Sequence, residues 1–430
     1  MSEEKNMSGN PGRYVWFTTL YNARAYYPIL AILFIDLGLT LDQYVMLNMV
    51  WAATIFFFEV PSGALADTLG RKTLLVTAAV LMVVEMSCLL FAPKDGGWVL
   101  FGLCVANRLL SGLSEAAASG ADEALAYDSL PDGKKDDLWD EVLSKAMRYR
   151  SVAFVIAMVL GGLMYDPSIV NRLLPESLQI SRELAHRLPV AMVLIQGLVC
   201  LGITLSMVEP KKVLDEAIWP ACKSATKLTL ETAKWVFTNP RTRVFVLVGL
   251  CIDAVVRNFA TITSEYYRLI ELPEWSFGFI GSAIGFGGIV VPTIAAWLNK
   301  RFSPLANLAL IGGMALLGLG GLVPANSWWC LAPAMLLMSM MSFLSFTLSR
   351  SLNREADSSK RATVLSVKGL AFNLGYGSFS LAFSGFLASM AGKPEGGAFG
   401  AALLWQVPFY AILVGVMLLW GKWLLGRKPL

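Results

Sequence analysis

Twelve apolar runs constrain this chain more than any motif, because each is near the roughly 20 residues that a helix needs to cross a hydrocarbon core. They begin near Tyr14, Leu41, Thr73, Trp98, Val142 and Leu188, and again near Thr242, Ser276, Pro304, Trp329, Ala362 and Ala398. A bilayer offers no water to backbone N–H and C=O groups, so a run of this length must satisfy them internally as a helix. Composition agrees: 56% of residues are hydrophobic and only 15% are charged, against about 25% in soluble domains. The expected fold class is all-α integral membrane, with twelve transmembrane helices in two six-helix bundles. A Lys-rich stretch divides them into an N-terminal half, 1–208, a cytoplasmic amphipathic linker, 209–241, and a C-terminal half, 242–430. In the linker, Leu228, Trp235 and Val236 recur at helical spacing, which predicts a helix lying along the membrane surface.

Charge placement sets an expected orientation. With the N-terminus inside, the cytoplasmic segments carry Arg71/Lys72, Lys134/Lys135, Lys145/Arg148/Arg150, Lys211 through Arg243, Lys300/Arg301, Arg354/Lys360/Arg361 and Arg427/Lys428. The opposite side keeps Lys94, Arg172, Arg182, Arg187, Arg268 and Lys393. This asymmetry predicts a multi-pass protein of the cytoplasmic (inner) membrane with both termini in the cytoplasm. The net charge of +4 therefore reflects topology, not a nucleic-acid surface. The polar stretch from Met1 to Gly12 lacks the pattern of a cleavable signal, so the first helix is expected to stay. Cys88, Cys104, Cys200, Cys251 and Cys330 lie in or beside apolar runs and Cys222 in the linker, without disulfide or metal-ligand spacing. No metal and no cofactor are expected. The single histidine, His186, falls near an extracytoplasmic loop and is expected to be solvated.

Gly63-Ala-Leu-Ala-Asp67-Thr-Leu-Gly70-Arg71-Lys72 is a polar, doubly cationic hinge between two apolar runs. It resembles the loop signature of the major facilitator superfamily, G-x-L-a-D-r-x-G-R-[RK], between the second and third membrane helices. The match holds at Gly63, Leu65, Asp67, Gly70 and Arg71 and departs at Thr68, where the family usually has a basic residue. Gly63 is expected to permit close helix approach, Asp67 to face a helix N-terminus, and Gly70 to allow the reversal. The resemblance further implies that Asp128, at the end of the fourth helix, is the acidic partner of Arg71, and Glu59 is placed in the same cytoplasmic gate. Two six-helix halves around a central cavity are the arrangement the family uses. A weak internal repeat supports duplication, since Lys145-Ala146 parallels Arg361-Ala362 and Asn299-Lys300-Arg301 falls where a degraded second signature would lie.

Ionisable groups inside a bilayer are costly unless they meet a polar cavity or a partner, so they mark candidate sites. On the fourth helix, Arg108, Ser111, Glu115, Ser119 and Asp122 recur at steps of three and four, a polar stripe on one helical face. The seventh carries Asp253, Arg257, Thr261 and Ser264, whose first two are an i,i+4 acid and base, either a structural pair or a substrate site. The tenth offers Ser339, Ser342 and Ser349, and the first Tyr21, Arg24 and Pro28. By resemblance these four helices line the substrate cavity. Tyr21, Arg24, Arg108, Glu115, Asp253, Arg257, Ser342 and Lys368 are the candidate cavity residues, and Glu115, Asp122 and Asp253 the candidate proton carriers. Arg24 has no acid at helical spacing and is expected to be free, whereas Glu85 is isolated and assigned to packing or the lipid boundary.

No G-x-x-x-x-G-K-[ST] loop occurs, so an ion gradient is the expected energy source. No nucleophile, histidine and acid set converges, which excludes the enzyme classes built on one. Val159-Leu160-Gly161-Gly162 keeps the two glycines of the fifth-helix antiporter motif without its Gly-Pro. Glu59 to Gly63 and Ser119 to Leu130 resemble a bacterial subgroup of largely uncharacterised, drug-exporter-like members. The expected function is secondary active transport by alternating access, proton-coupled, exporting a small amphipathic compound from a monomer. Uptake of an organic anion or zwitterion and a lipid-handling or receptor-like role are the alternatives, the former favoured by Arg24, Arg108, Arg257 and Lys368.

Overall fold

The computed structural model describes residues 9–131, 133, 135–209, 218–357, 360–390 and 395–426. Lys134, Lys211, Lys393, Arg427 and Lys428, cited above for topology, lie outside them. Among the described residues there is no strand, and eleven helices are long and apolar enough to cross a membrane. The first apolar run is the exception. It forms α1 (Asn10–Asn22), a 3-10 turn (Tyr27–Ile29) and α2 (Leu30–Asp36), broken where Ala23 leaves helical geometry with φ −85 and ψ 62. Pro28 sits in the turn, where its missing N–H costs nothing.

The chain folds as two compact units. The first comprises Met1–Leu39, Thr54–Lys227 and Pro273–Ser282. It holds α1, α2, most of α3 (Leu41–Leu69), α4 (Arg71–Leu90), α5 (Gly97–Ala118), α6 (Ala121–Asp128), α7 (Lys135–Tyr165), α8 (Pro167–Leu173) and α9 (Arg182–Ser206). There α4 packs against α5 and α9, while α1 packs against α7 and α9. Phe17, Ala25, Ile29, Ile32 and Phe34 are fully buried, so the broken run is the core of this unit. Its tightest approach falls on the antiporter-like glycines: a Cβ on Gly161 would lie 1.7 Å from the Ala25 carbonyl oxygen, and one on Gly162 2.8 Å from the Gly278 nitrogen. These glycines admit backbone contact at the break.

The second unit comprises Thr40–Ala53, Leu228–Leu272 and Ala283–Leu430. α10 (Ile218–Thr238) runs from the first unit's residues into it. In α10, Val236 and Thr232 are buried and Leu228 is exposed. The core is α11 (Pro240–Leu269), which is mostly buried and packs against α14 (Leu331–Glu355), α15 (Arg361–Ser389) and α16 (Glu395–Gly426). α12 (Ser276–Arg301), from Ala283 onward, and α13 (Pro304–Leu322) complete it, with α13 packed on α14 and α16. Near the end of α12, Asn299 donates to Thr347 Oγ1 at 2.9 Å and Arg301 covers the Trp297 ring at 4.1 Å.

Candidate functional site

In the first unit, Arg24 occupies the break between α1 and α2, where the interrupted backbone leaves the Tyr21 carbonyl to it. Its Nε donates to the Tyr21 carbonyl at 3.3 Å and its Nη1 to the Tyr26 hydroxyl at 3.0 Å and to Glu85 Oε1 at 2.5 Å. The side chains of this ion pair are 2% and 0% exposed. The expectations of a free Arg24 and an isolated Glu85 are therefore corrected: the partners sit 61 positions apart, on separate segments, where helical spacing carries no signal. Arg24 Nη2 and Glu85 Oε2 make no hydrogen bond among the described residues.

Asn107, which the sequence did not single out, joins this pair to the next arginine. Its Nδ2 donates to the Glu85 carbonyl at 2.7 Å, and its Oδ1 accepts from Arg108 Nε and Nη2 at 2.9 and 2.7 Å. Arg108 is buried, with the Phe34 ring 5.0 Å from its guanidinium carbon. No acid lies within ion-pair distance of it among the described residues. Tyr21 and Ser114 share a hydrogen bond of 2.6 Å. The stripe of the fourth run is not continuous. α5 stops at Ala118, and Gly120 takes a left-handed φ of 74 before α6 begins. Arg108 and Ser111 are buried and Glu115 is exposed, but Asp122 lies past the break, where its Oδ1 accepts from the Glu123 N–H at 2.8 Å.

At the hinge, Arg71 pairs with Asp128, and its Nη1 also donates to the Ala124 carbonyl at 2.8 Å. Gly70 has φ 94 at the start of α4, a backbone that favours glycine. Asp67 is 60% exposed and 4.0 Å from Arg71. The acid that meets the N-terminus of α4 is instead Glu209, whose Oε2 accepts from the Lys72 N–H at 2.8 Å. A Cβ on Gly63 would meet nothing within 4 Å, which corrects its expected role in close helix approach. Glu59 is half-buried one turn before it, in an α3 that continues through Pro61.

In the second unit, Arg257 Nη2 lies 2.8 Å from Asp253 Oδ2, with side chains 23% and 7% exposed. Arg257 Nη1 donates to Asn373 Oδ1 at 2.9 Å, and its guanidinium covers the Tyr376 ring at 5.5 Å. The Tyr376 hydroxyl lies 3.4 Å from Thr261 Oγ1. Lys368 is half-buried, with its ammonium 5.7 Å from the Phe372 ring, and Ser342 is half-buried on α14. Asn373 and Tyr376 were not foreseen, although both are polar groups inside an apolar run, the signal that marked the others.

An all-helical membrane protein that buries arginines and carboxylates along spans and ties a hinge arginine to a distant aspartate has the build of a transporter. Residues 15–375 match the Major Facilitator Superfamily, and the chain belongs to that family. It is a multi-pass membrane protein of secondary transport, not an enzyme. No curated protein matches the sequence. Among solved structures it resembles the nucleoside transporter NupG, at 11% identity over 100% of both chains with a TM-score of 0.73. A POT family transporter in complex with 5-aminolevulinic acid aligns at 13% identity over 96% of each chain, TM-score 0.64. A D-xylose-proton symporter aligns at 12% identity over 95% of this chain and 96% of its own, TM-score 0.60. At these identities the likeness is one of fold.

Proposed function

We propose that the protein moves a small amphipathic organic compound bearing a negative group, by proton-coupled alternating access. Arg108 carries this reading. A guanidinium buried in a membrane span is stable only with a counter-charge, and this one holds a neutral amide and an aromatic face. A carboxylate or phosphate on the substrate supplies the missing charge in bidentate form. Arg24 leaves the set of substrate ligands because Glu85 neutralises it.

Glu115, exposed within a span, is the first candidate for the coupling proton, and Asp253 the second. Arg71 with Asp128 holds the cytoplasmic gate, to which Asp67, Gly70 and Glu59 belong by position, and both termini face the cytoplasm by the charge asymmetry. The halves 1–208 and 242–430 rock about the site, joined by 209–241. The exporter-like patches favour outward movement, in which case the protein is an antiporter. Uptake of an organic anion uses the same cation and differs in direction.

The test uses purified full chain in nanodiscs, screened by thermal shift against organic anions and lipophilic cations, followed by titration of the strongest ligand. Arg108→Gln should weaken an anion by about 1.5–3 kcal/mol, the worth of hydrogen bonds to a charged group. Glu115→Gln in vesicles should keep substrate exchange and lose accumulation driven by a pH gradient. Selection of lipophilic cations, bound equally well by Arg108→Gln, would overturn the assignment.

A further inference from the structure

His186 is not solvated as its place near a loop implied. Its side chain is 12% exposed, and its ring lies flat on Tyr165, at 4.0 Å and 5° between planes, where α7 ends. The Tyr165 hydroxyl donates to Asp36 Oδ2 at 2.6 Å, and His186 Nδ1 stands 3.4 Å from the same oxygen. On its other edge, Nε2 accepts from Arg182 Nε at 3.3 Å, and Arg182 Nη2 reaches Glu274 Oε1 at 3.1 Å. Glu274 belongs to Pro273–Ser282, the short segment that follows α11 in the chain yet groups with the first unit. A cavity of about 290 Å³ opens beside the ring, lined among others by Leu33, Asp36, Lys94, Glu183 and Arg187.

These contacts define a protonation state. An Nε2 that accepts from a guanidinium has its lone pair there, so the ring is neutral and its proton sits on Nδ1, toward Asp36. A second proton would turn Nε2 into a donor facing the guanidinium that now donates to it, and would set two positive charges against each other. Arg182 then leaves His186, while Asp36 keeps the charged ring in place. The other charged groups lining the cavity have partners of their own or stand in solvent. Glu183 pairs with Arg187 at 3.0 Å, Arg187 also donates to the Leu90 and Ala92 carbonyls, and Lys94 is exposed on the α4–α5 loop.

The geometry points to His186 as a second proton-binding site, at the end of the first unit opposite the hinge. Its neutral form holds Arg182 on Glu274, and its protonation releases the segment 273–282 from α9. The site and its latch stand on the contacts alone; their use in transport rests on the alternating-access reading.

Hydrogen exchange of the full chain in nanodiscs, at about pH 5.5 and about pH 8, on either side of the range in which histidine titrates, tests it. After correction for intrinsic rates, peptides covering 270–282 should exchange about fivefold faster or more at the lower pH, the small end of coupling between sites. His186→Gln keeps an acceptor for Arg182 but cannot titrate, and should protect the segment at both pH values. Glu274→Gln breaks the latch itself and should be fast at both. His186→Phe keeps the stack on Tyr165 without the acceptor, and should also be fast at both. An unchanged corrected rate in the native protein, or a pH response that survives in His186→Gln, would overturn the proposal. Failure of the transport reading would show differently, as lost substrate binding with this exchange response intact.

Discussion

Each unit is organised around one buried segment that carries an arginine paired with an acid, and the two segments are built in opposite ways. α11 is unbroken over 30 residues, and its pair, Arg257 with Asp253, is local, one turn apart, with Arg257 23% exposed. The core of the first unit is interrupted at Ala23, and its arginine finds Glu85 on another helix with both side chains almost wholly buried. A local pair on a rigid helix survives rotation of its surroundings, and Asn373 with Tyr376 gives Arg257 further polar and aromatic contacts. A buried pair that spans two segments fixes their relative position, because separating it strands two charges in apolar surroundings. An arginine paired with a carboxylate thus acts as a fastening in one unit and as a partly accessible group in the other.

The largest test of that contrast is to remove one partner at a time. Arg24→Gln or Glu85→Gln should each destabilise the folded protein by about 3–5 kcal/mol, the cost of an uncompensated buried charge. Thermal unfolding in nanodiscs checks it, and the double substitution Arg24→Gln with Glu85→Gln should recover much of the loss. Native unfolding temperatures for both single variants would break the contrast.

The break itself sharpens it. Gly161→Ala drives a methyl onto the Ala25 carbonyl, backbone that cannot yield, and should cost about 1–3 kcal/mol. Gly249→Ala on the unbroken α11 meets side-chain carbons of Leu348 at 2.7 Å and Phe372 at 3.1 Å, not backbone, so its unfolding midpoint should fall less. Equal losses would mean that the broken segment is no more tightly held than the continuous one.

Smallest in stability, and opposite in emphasis, is Asp253→Asn. It should lower stability by only about 1 kcal/mol, because Arg257 retains Asn373, Tyr376 and partial exposure. Transport in vesicles should fall further than that stability loss explains. A variant as unstable as Glu85→Gln would make both pairs structural.

The helical architecture and the second half of the site were legible in the residues. Leu41, Ser276 and Pro304 begin their helices where the apolar runs begin, and Arg257 pairs with the acid one turn away. Both follow from local physics: a bilayer forces each long apolar run to close its own backbone hydrogen bonds, and neighbours on one helical face meet whatever surrounds them. The pairing of Arg71 with Asp128 came from the family signature, not from spacing.

What stayed hidden has one cause. Glu85 and Arg24, Glu209 at the start of α4, and the stack of His186 on Tyr165 join residues 61, 137 and 21 positions apart by subtraction of their numbers, farther than any helical periodicity reaches. The two backbone breaks, at Ala23 and at Ser119-Gly120, belong to the same class. Unpaired backbone groups inside a span are tolerated only where neighbouring segments satisfy them. The run of apolar residues by itself determined that this chain is a bundle of membrane helices. Which of its charges are locked and which are left to react was decided only by packing, since the stability of a buried charge depends on the group brought against it from elsewhere in the fold.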